Sequence, residues 1–280
     1  MNAQTASIFR LIAACSLFVG CASSRPSVVI PKEVPVVRHG ILAGYLKNED
    51  LPNSLTLLPP PPAEKTAAFA GDEDAFKKTR SLKDTPRWKQ AIEDADLKFP
   101  KAAENFSCAL DVPISEKETP HLYMLMRRTL ADGALATYKA KEHYKRTRPF
   151  VFNNTTSCTP HDEQFLRKDG SYPSGHSAAG WTWALVLSQV APERTNELLA
   201  RGLAYGQSRV ICGVHWQSDV TQGRVVAAGA VARLQSDPIF QAELEAAKKE
   251  VLNLRTQGQK PTRDCKAEAE ALGLNLVSSL

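Results

Sequence analysis

From Glu64 onward apolar residues recur every three or four positions, the period of an amphipathic helix. No stretch shows Val, Ile and Thr alternating with polar residues as a half-buried strand requires. Three helix starts are marked by a capping residue followed by proline: Thr85-Pro86 before RWKQAIEDADLK, Thr119-Pro120 before HLYMLMRRTLADGALATYKAKEHYKR, and Asp237-Pro238 before IFQAELEAAKKEVLNL. Proline suits the first helical position because its missing N–H has no intrahelical partner there. The helix from Pro120 is predicted to run to about Arg148, because Pro149 disfavours helical backbone at the residue before it. A loop over residues 150–172 follows, and a loop of that length in a compact domain is often functional. Next come a strongly apolar helix over Trp181 to Ala191, a helix opened by Pro192 and broken at Gly213, and a helical run from His215 to Leu234. The apolar helix is too short to span a bilayer, since Gln189 and then Pro192-Glu193-Arg194 interrupt it, so it is predicted to be buried core. The predicted fold is all-α, a compact helical bundle with no internal repeat.

Residues 22–62 lack sustained periodicity and close on Pro59-Pro60-Pro61-Pro62, which predicts an extended or wrap-around arm. The first twenty residues carry one basic residue, Arg10, and then the apolar segment Leu11 to Gly20, the length of a secretory core segment. An export signal over 1–21 is predicted, and with it a periplasmic or secreted location. Phe18-Val19-Gly20-Cys21 is also similar to a lipoprotein cleavage box, which would place a lipid anchor at Cys21. Ordinary cleavage near Ala22 and an uncleaved N-terminal anchor are the alternatives. The organisation expected is therefore signal 1–21, arm 22–62, one domain over 63–256, and a tail over 257–280 to which the sequence assigns no role.

A 280-residue chain with 43% apolar and 23% charged residues has ordinary globular composition. Its net charge of +5 is spread without a long Lys/Arg run, which gives no footprint for a nucleic-acid polymer. If Cys15 and Cys21 leave with the signal, Cys108, Cys158, Cys212 and Cys265 remain. An even number in an oxidising compartment predicts two disulfides. Three connectivities are open, with Cys158–Cys212 and Cys108–Cys265 preferred.

Candidate chemistry concentrates in three clusters. The first holds Lys141, Arg148 and Pro149, the second Pro173-Ser174-Gly175-His176, and the third Ser208-Arg209 with His215 and Asp219. A helix starting at Ser174 and Gly175 aims its free backbone N–H groups and positive dipole end at an anion, with phosphate the first candidate. Lys141 and Arg148 are seven apart, so on one helix both face the same side. His215 and Asp219 are four apart, which on a helix lets the carboxylate hold one imidazole nitrogen and leave the other free. Taken singly these are features of a solvated helix face, a helix cap and a surface hydrogen bond. Together, in this order, they are the parts of a phosphate-transfer site.

The strings K-E-H-Y-K-R-T-R-P (Lys141 to Pro149), P-S-G-H (Pro173 to His176) and S-R-V-I-C-G-V-H-W-Q-S-D (Ser208 to Asp219) resemble the three-part signature of the PAP2 phosphatase superfamily. More narrowly they resemble the bacterial class A non-specific acid phosphatases, over about Leu58 to Leu254. The resemblance implies an exported, all-helical acid phosphatase acting on small phosphomonoesters without a metal or other cofactor. It implies His215 as nucleophile, Asp219 as the group that fixes its tautomer, and His176 as general acid and then base. Lys141, Arg148, Ser174, Gly175 and Arg209 are the implied phosphate ligands. Acid pH is expected to favour turnover, because His176 must start protonated and His215 neutral.

Other residues are assigned plainer roles. His39 falls in the arm, His121 in a first helical turn, His143 on a helix face, and His161 in the long loop, near enough to line a mouth. Asp72-Glu73-Asp74 is predicted to be an acid-rich helix N-terminus. Tyr138, Tyr144, Tyr172 and Trp216 flank the clusters as pocket walls or as core. The alternatives to a phosphatase are a vanadium-haloperoxidase-like enzyme, for which the chain is short, and a non-catalytic phosphate-binding envelope lipoprotein. Oligomeric state is open, a homo-oligomer included.

Overall fold

The structure is a computed structural model that describes residues 28–38 and 40–273. The predicted signal over 1–21 with its anchor at Cys21, and His39 of the arm, lie outside the described residues. Helices dominate, as the periodicity predicts. The one departure among the described residues is a short antiparallel pair of strands in the arm, β1 (Val36–Arg38) with β2 (Ile41–Leu42).

The arm is more than an extended lead. The backbone N–H groups of Tyr45 and Leu46 donate to the buried carboxylate of Asp132 at 3.1 and 3.0 Å, and the Tyr45 ring lies under the Arg128 guanidinium. Tyr45 and Leu58 are buried, so the arm contributes to the core it wraps.

The domain is built from α1 (Ala67–Thr79), α2 (Pro86–Glu93), α3 (Pro120–Leu135), α4 (Tyr138–Tyr144), α5 (Gly175–Val190), α6 (Thr195–Ile211), α7 (Gln217–Leu234), α8 (Pro238–Thr256) and α9 (Cys265–Leu272). The Thr85 and Asp237 side chains cap α2 and α8 by accepting from Trp88 N and Phe240 N, as the capping residue before proline predicts. The central helix is α5, packed against α3, α6, α7 and α8. Its Trp183 is fully buried, and the indole N–H donates to Met126 O at 2.9 Å. Gly180 lets α6 approach closely, since a Cβ there would overlap the Tyr205 ring.

The helix predicted from Pro120 to Arg148 is two helices. The Thr137 hydroxyl takes the Ala134 carbonyl at 2.6 Å where α3 ends, and α4 stops at Lys145, which adopts a left-handed conformation with φ 44°. Arg148 is extended, as the residue before Pro149 should be, so it stands beyond the helix that carries Lys141. The long loop contains single helical turns at Pro149–Phe152 and Glu163–Leu166. Asp72 lies in the second turn of α1, not at its N-terminus, because capping by Thr66 starts that helix earlier.

Both preferred disulfides are present. Cys158–Cys212 ties the long loop to the end of α6, and Cys108–Cys265 ties the tail to the helical turn Ser107–Leu110. Among the described residues no helix is long and apolar enough to cross a membrane.

Candidate active site

Ser174 caps α5: its Oγ accepts from Ser177 N at 3.2 Å and from the Ser177 hydroxyl at 2.8 Å. With both contacts accepted, its own hydroxyl hydrogen is left to donate. The Gly175 and His176 N–H groups occupy the first two helical positions and are orphan donors at the positive end of a sixteen-residue helix. The His176 Nε2 lies 3.1 Å from Ala95 O. A carbonyl only accepts, so Nε2 carries the hydrogen and Nδ1 is the nitrogen available for proton transfer.

His215 does not sit on α7, which begins at Gln217; it precedes the helix, with its backbone N–H on Arg209 O at 3.3 Å. The expected helical pairing with Asp219 is therefore a different arrangement. Asp219 occupies the third helical position and accepts from Trp216 N at 2.8 Å, while its other oxygen takes Arg146 at 2.6 Å. The His215 Nδ1 lies 3.4 Å from Asp219 Oδ2, a close approach without an aligned hydrogen bond. On its other side Nε2 lies 3.1 Å from Arg148 Nη1, and an arginine can only donate, so Nε2 is the unprotonated nitrogen.

Lys141 and Arg148 reach this point from separate elements, not from one helix face. Both donate to Gly170 O, and both pair with Asp169, Arg148 at 2.9 Å and Lys141 at 3.6 Å. Arg209 is 2% exposed, and its Nε and Nη1 have no hydrogen-bond partner, so an unsatisfied guanidinium edge is buried beside the histidines. Buried donors left in this way are what an anion would satisfy.

Burial is the main force on Lys141, Arg148, Arg209 and the two histidines. It lowers Lys141 to about 8, assisted by Arg148, and Arg209 to about 10, and both stay cationic at acid pH. Burial followed by the charge of Arg209 pushes His176 well below its ordinary value. Burial followed by Arg148, Lys141 and Arg209 does the same to His215. Both imidazoles are thus neutral where the unfolded chain would protonate them, and stability falls as pH drops below about 6.5 toward the folded-state values. A bound dianion offsets the cations and lets an imidazole take up a proton. Sulfate, a dianion throughout, is expected to raise Tm more near pH 5 than near pH 7.5. Equal shifts at the two pH values would show that no proton accompanies the anion.

Three supporting residues escaped the sequence reading. Arg146 bridges Asp219 and Asp72, at 2.6 and 2.8 Å, and Asp72 also accepts from Ser218 N and its hydroxyl. Asp169 is the carboxylate shared by the two cations. Arg146 stands inside the quoted Lys141 to Pro149 string, and its place in that string was the only signal available. The flanking aromatics divide: Tyr172 and Trp216 are core, donating to Pro59 O and Thr147 O, while Tyr144 packs edge-on against Tyr172. Among the described residues no group of three or more His, Cys, Asp or Glu is arranged to hold a metal ion.

A cleft of about 980 Å³ is lined by His176 and Arg209, and His161 of the long loop is among its lining residues. The PAP2 superfamily model matches residues 121–236, which contain the eight residues that the sequence assigns to the site, from Lys141 to Asp219. A non-specific acid phosphatase from Providencia stuartii is 49% identical over 212 residues, covering 75% of this chain and 86% of that protein. One from Salmonella typhi is 48% identical over 217 residues, covering 76% and 87%. An acid phosphatase from Zymomonas mobilis is 38% identical over 218 residues, covering 78% and 83%.

Proposed function

The chain belongs to the PAP2 superfamily as a non-specific acid phosphatase, a phosphoric monoester hydrolase, and from that premise we propose that it is exported and works without a metal through a phosphohistidine on His215. The observation that carries this reading is the unprotonated Nε2 of a buried imidazole, set among Lys141, Arg148 and Arg209. In the first step the Nε2 lone pair attacks phosphorus, the P–O ester bond breaks, and the leaving alkoxide takes the proton from His176 Nδ1. In the second, His176 Nδ1 takes a proton from water as its oxygen attacks phosphorus. The P–N bond breaks and orthophosphate departs.

Phosphoryl transfer asks mainly for positioning and for positive charge around the equatorial oxygens. The three cations, the Ser174 hydroxyl and the N–H groups at the start of α5 supply both. Asp219 and Arg146 hold His215 by charge and packing, since Asp219 itself is fixed from two sides. Small phosphomonoesters are the proposed substrates, and the open cleft above His176 accommodates varied alcohols. Export is supported by the two disulfides, which belong to an oxidising compartment, together with the apolar segment Leu11 to Gly20. The test is turnover of p-nitrophenyl phosphate at acid pH in excess EDTA. Full activity is expected, whereas loss that a divalent cation restores would contradict the metal-free reading.

A further inference from the structure

The family match ends at residue 236, yet one wall of the cleft comes from well beyond it. His176 and Arg209 line the cleft with charged side chains such as Lys89, Asp96 and Lys101. Apolar surface is added by Ile92 near the end of α2, by Phe165 and, as a third wall, by the segment from Arg263 to Ala271. On α9, Ala267 and Ala271 are one turn apart and both line the cleft. Ile92 and Phe165 are 39% and 56% exposed, so apolar surface from three parts of the chain lines the same space.

That third wall is fastened rather than merely laid on. Cys265, the first residue of α9, is bonded to Cys108. Arg263 pairs with Glu93 at 3.0 Å and with Glu268 at 3.1 Å, and Glu268 reaches the buried Arg201 at 3.4 Å. Arg263, Asp264 and Glu268 line the cleft beside the two alanines; Arg263 and Glu268 are engaged in these pairs, and the alanine methyls are the segment's apolar contribution. A small alcohol leaving from above His176 does not need this space. A bulky apolar one does.

We propose that residues 263–271, latched by Cys108–Cys265, form a specificity-determining wall that holds bulky apolar leaving groups. The proposal rests on the phosphatase reading of the site and adds to it the class of alcohol that the cleft favours. An aryl leaving group seated in the cleft against Phe165 and the α9 methyls removes apolar surface on both from water. The same contacts are absent for an ethyl group, whose phosphate is held by the cations, the Ser174 hydroxyl and the N–H groups at the start of α5.

The test compares kcat/KM for naphthyl phosphate and ethyl phosphate in the full chain and in two variants. Cys108→Ser/Cys265→Ser releases the latch. Ala267→Gln/Ala271→Gln leaves the latch intact and replaces the two methyls with neutral, helix-tolerant side chains that do not alter the field on the phosphate. In each variant the naphthyl-to-ethyl ratio is expected to fall by about tenfold, through KM for naphthyl phosphate, with ethyl phosphate changed by less than about twofold. A ratio unchanged in the glutamine variant, or an equal loss on both substrates, would overturn the proposal and leave α9 a structural clamp. Failure of the unaltered protein to hydrolyse ethyl phosphate would instead sink the reading of the site beneath.

Discussion

Substitution of His215 by alanine is expected to lower kcat/KM for any phosphomonoester by roughly four to six orders of magnitude, the loss seen when a covalent nucleophile is removed. The magnitude follows from what no neighbour can replace. His176 Nδ1 serves the leaving group and the water, and Asp219 is occupied by Arg146 and Trp216 N, so neither replaces the Nε2 lone pair of His215. Anion binding is a separate property of the same site. Lys141, Arg148 and Arg209 are untouched by the substitution, so the variant should still be stabilised by sulfate. Inactivity combined with a retained sulfate response identifies loss of chemistry. Inactivity with no sulfate response would mean that the pocket itself had collapsed.

The second large effect concerns stability. Asp94 is completely buried, and it accepts from Arg201 Nη2 at 2.5 Å, from the Ser208 hydroxyl at 2.5 Å and from Gln90 Nε2 at 3.1 Å. Arg201 is 1% exposed, so Asp94→Ala leaves a guanidinium deep in the protein with only the more distant Glu268 to offset it. Breaking a buried pair from one side costs about 3–5 kcal/mol. At about 2–4 °C per kcal/mol for a domain of this size, Tm should fall by roughly 6–20 °C. Removing both charges, as in Asp94→Ala/Arg201→Met, should recover part of the loss, because no unpaired charge then remains. A fall of less than about 2 °C, or strict additivity in the double variant, would show that the pair is not the support it resembles. Ala95, the next residue, supplies the carbonyl that orients His176, so this network also backs the active site.

Much of this was legible in local sequence because the signals were local. Thr85 and Asp237 before proline mark the starts of α2 and α8, and Ser174 marks the start of α5, since each cap is decided within three residues. The order of the three clusters pointed to the candidate site as a whole. What stayed hidden depends on residues far apart in the chain. Asp72 read as one of three acids in a row, and only folding brings it to Arg146 and Ser218, 74 and 146 positions away. Asp169 gave no sign that it would pair with both Lys141 and Arg148. The break between α3 and α4 left Lys141 and Arg148 on different elements, although their spacing suited one helix. Their convergence arises because both meet Gly170 and Asp169 at the end of the long loop. The cleft wall formed by α9 was equally invisible, because a disulfide across 157 residues places it.

The central claim is that phosphorus passes through Nε2 of His215. It is tested most directly by rapid alkaline quenching during turnover of a radiolabelled phosphomonoester, followed by peptide mapping. The expected result is label on the peptide that carries His215, stable to alkali, lost in acid, and absent from His215→Ala. Label on another side chain, or turnover retained by His215→Ala, would contradict it.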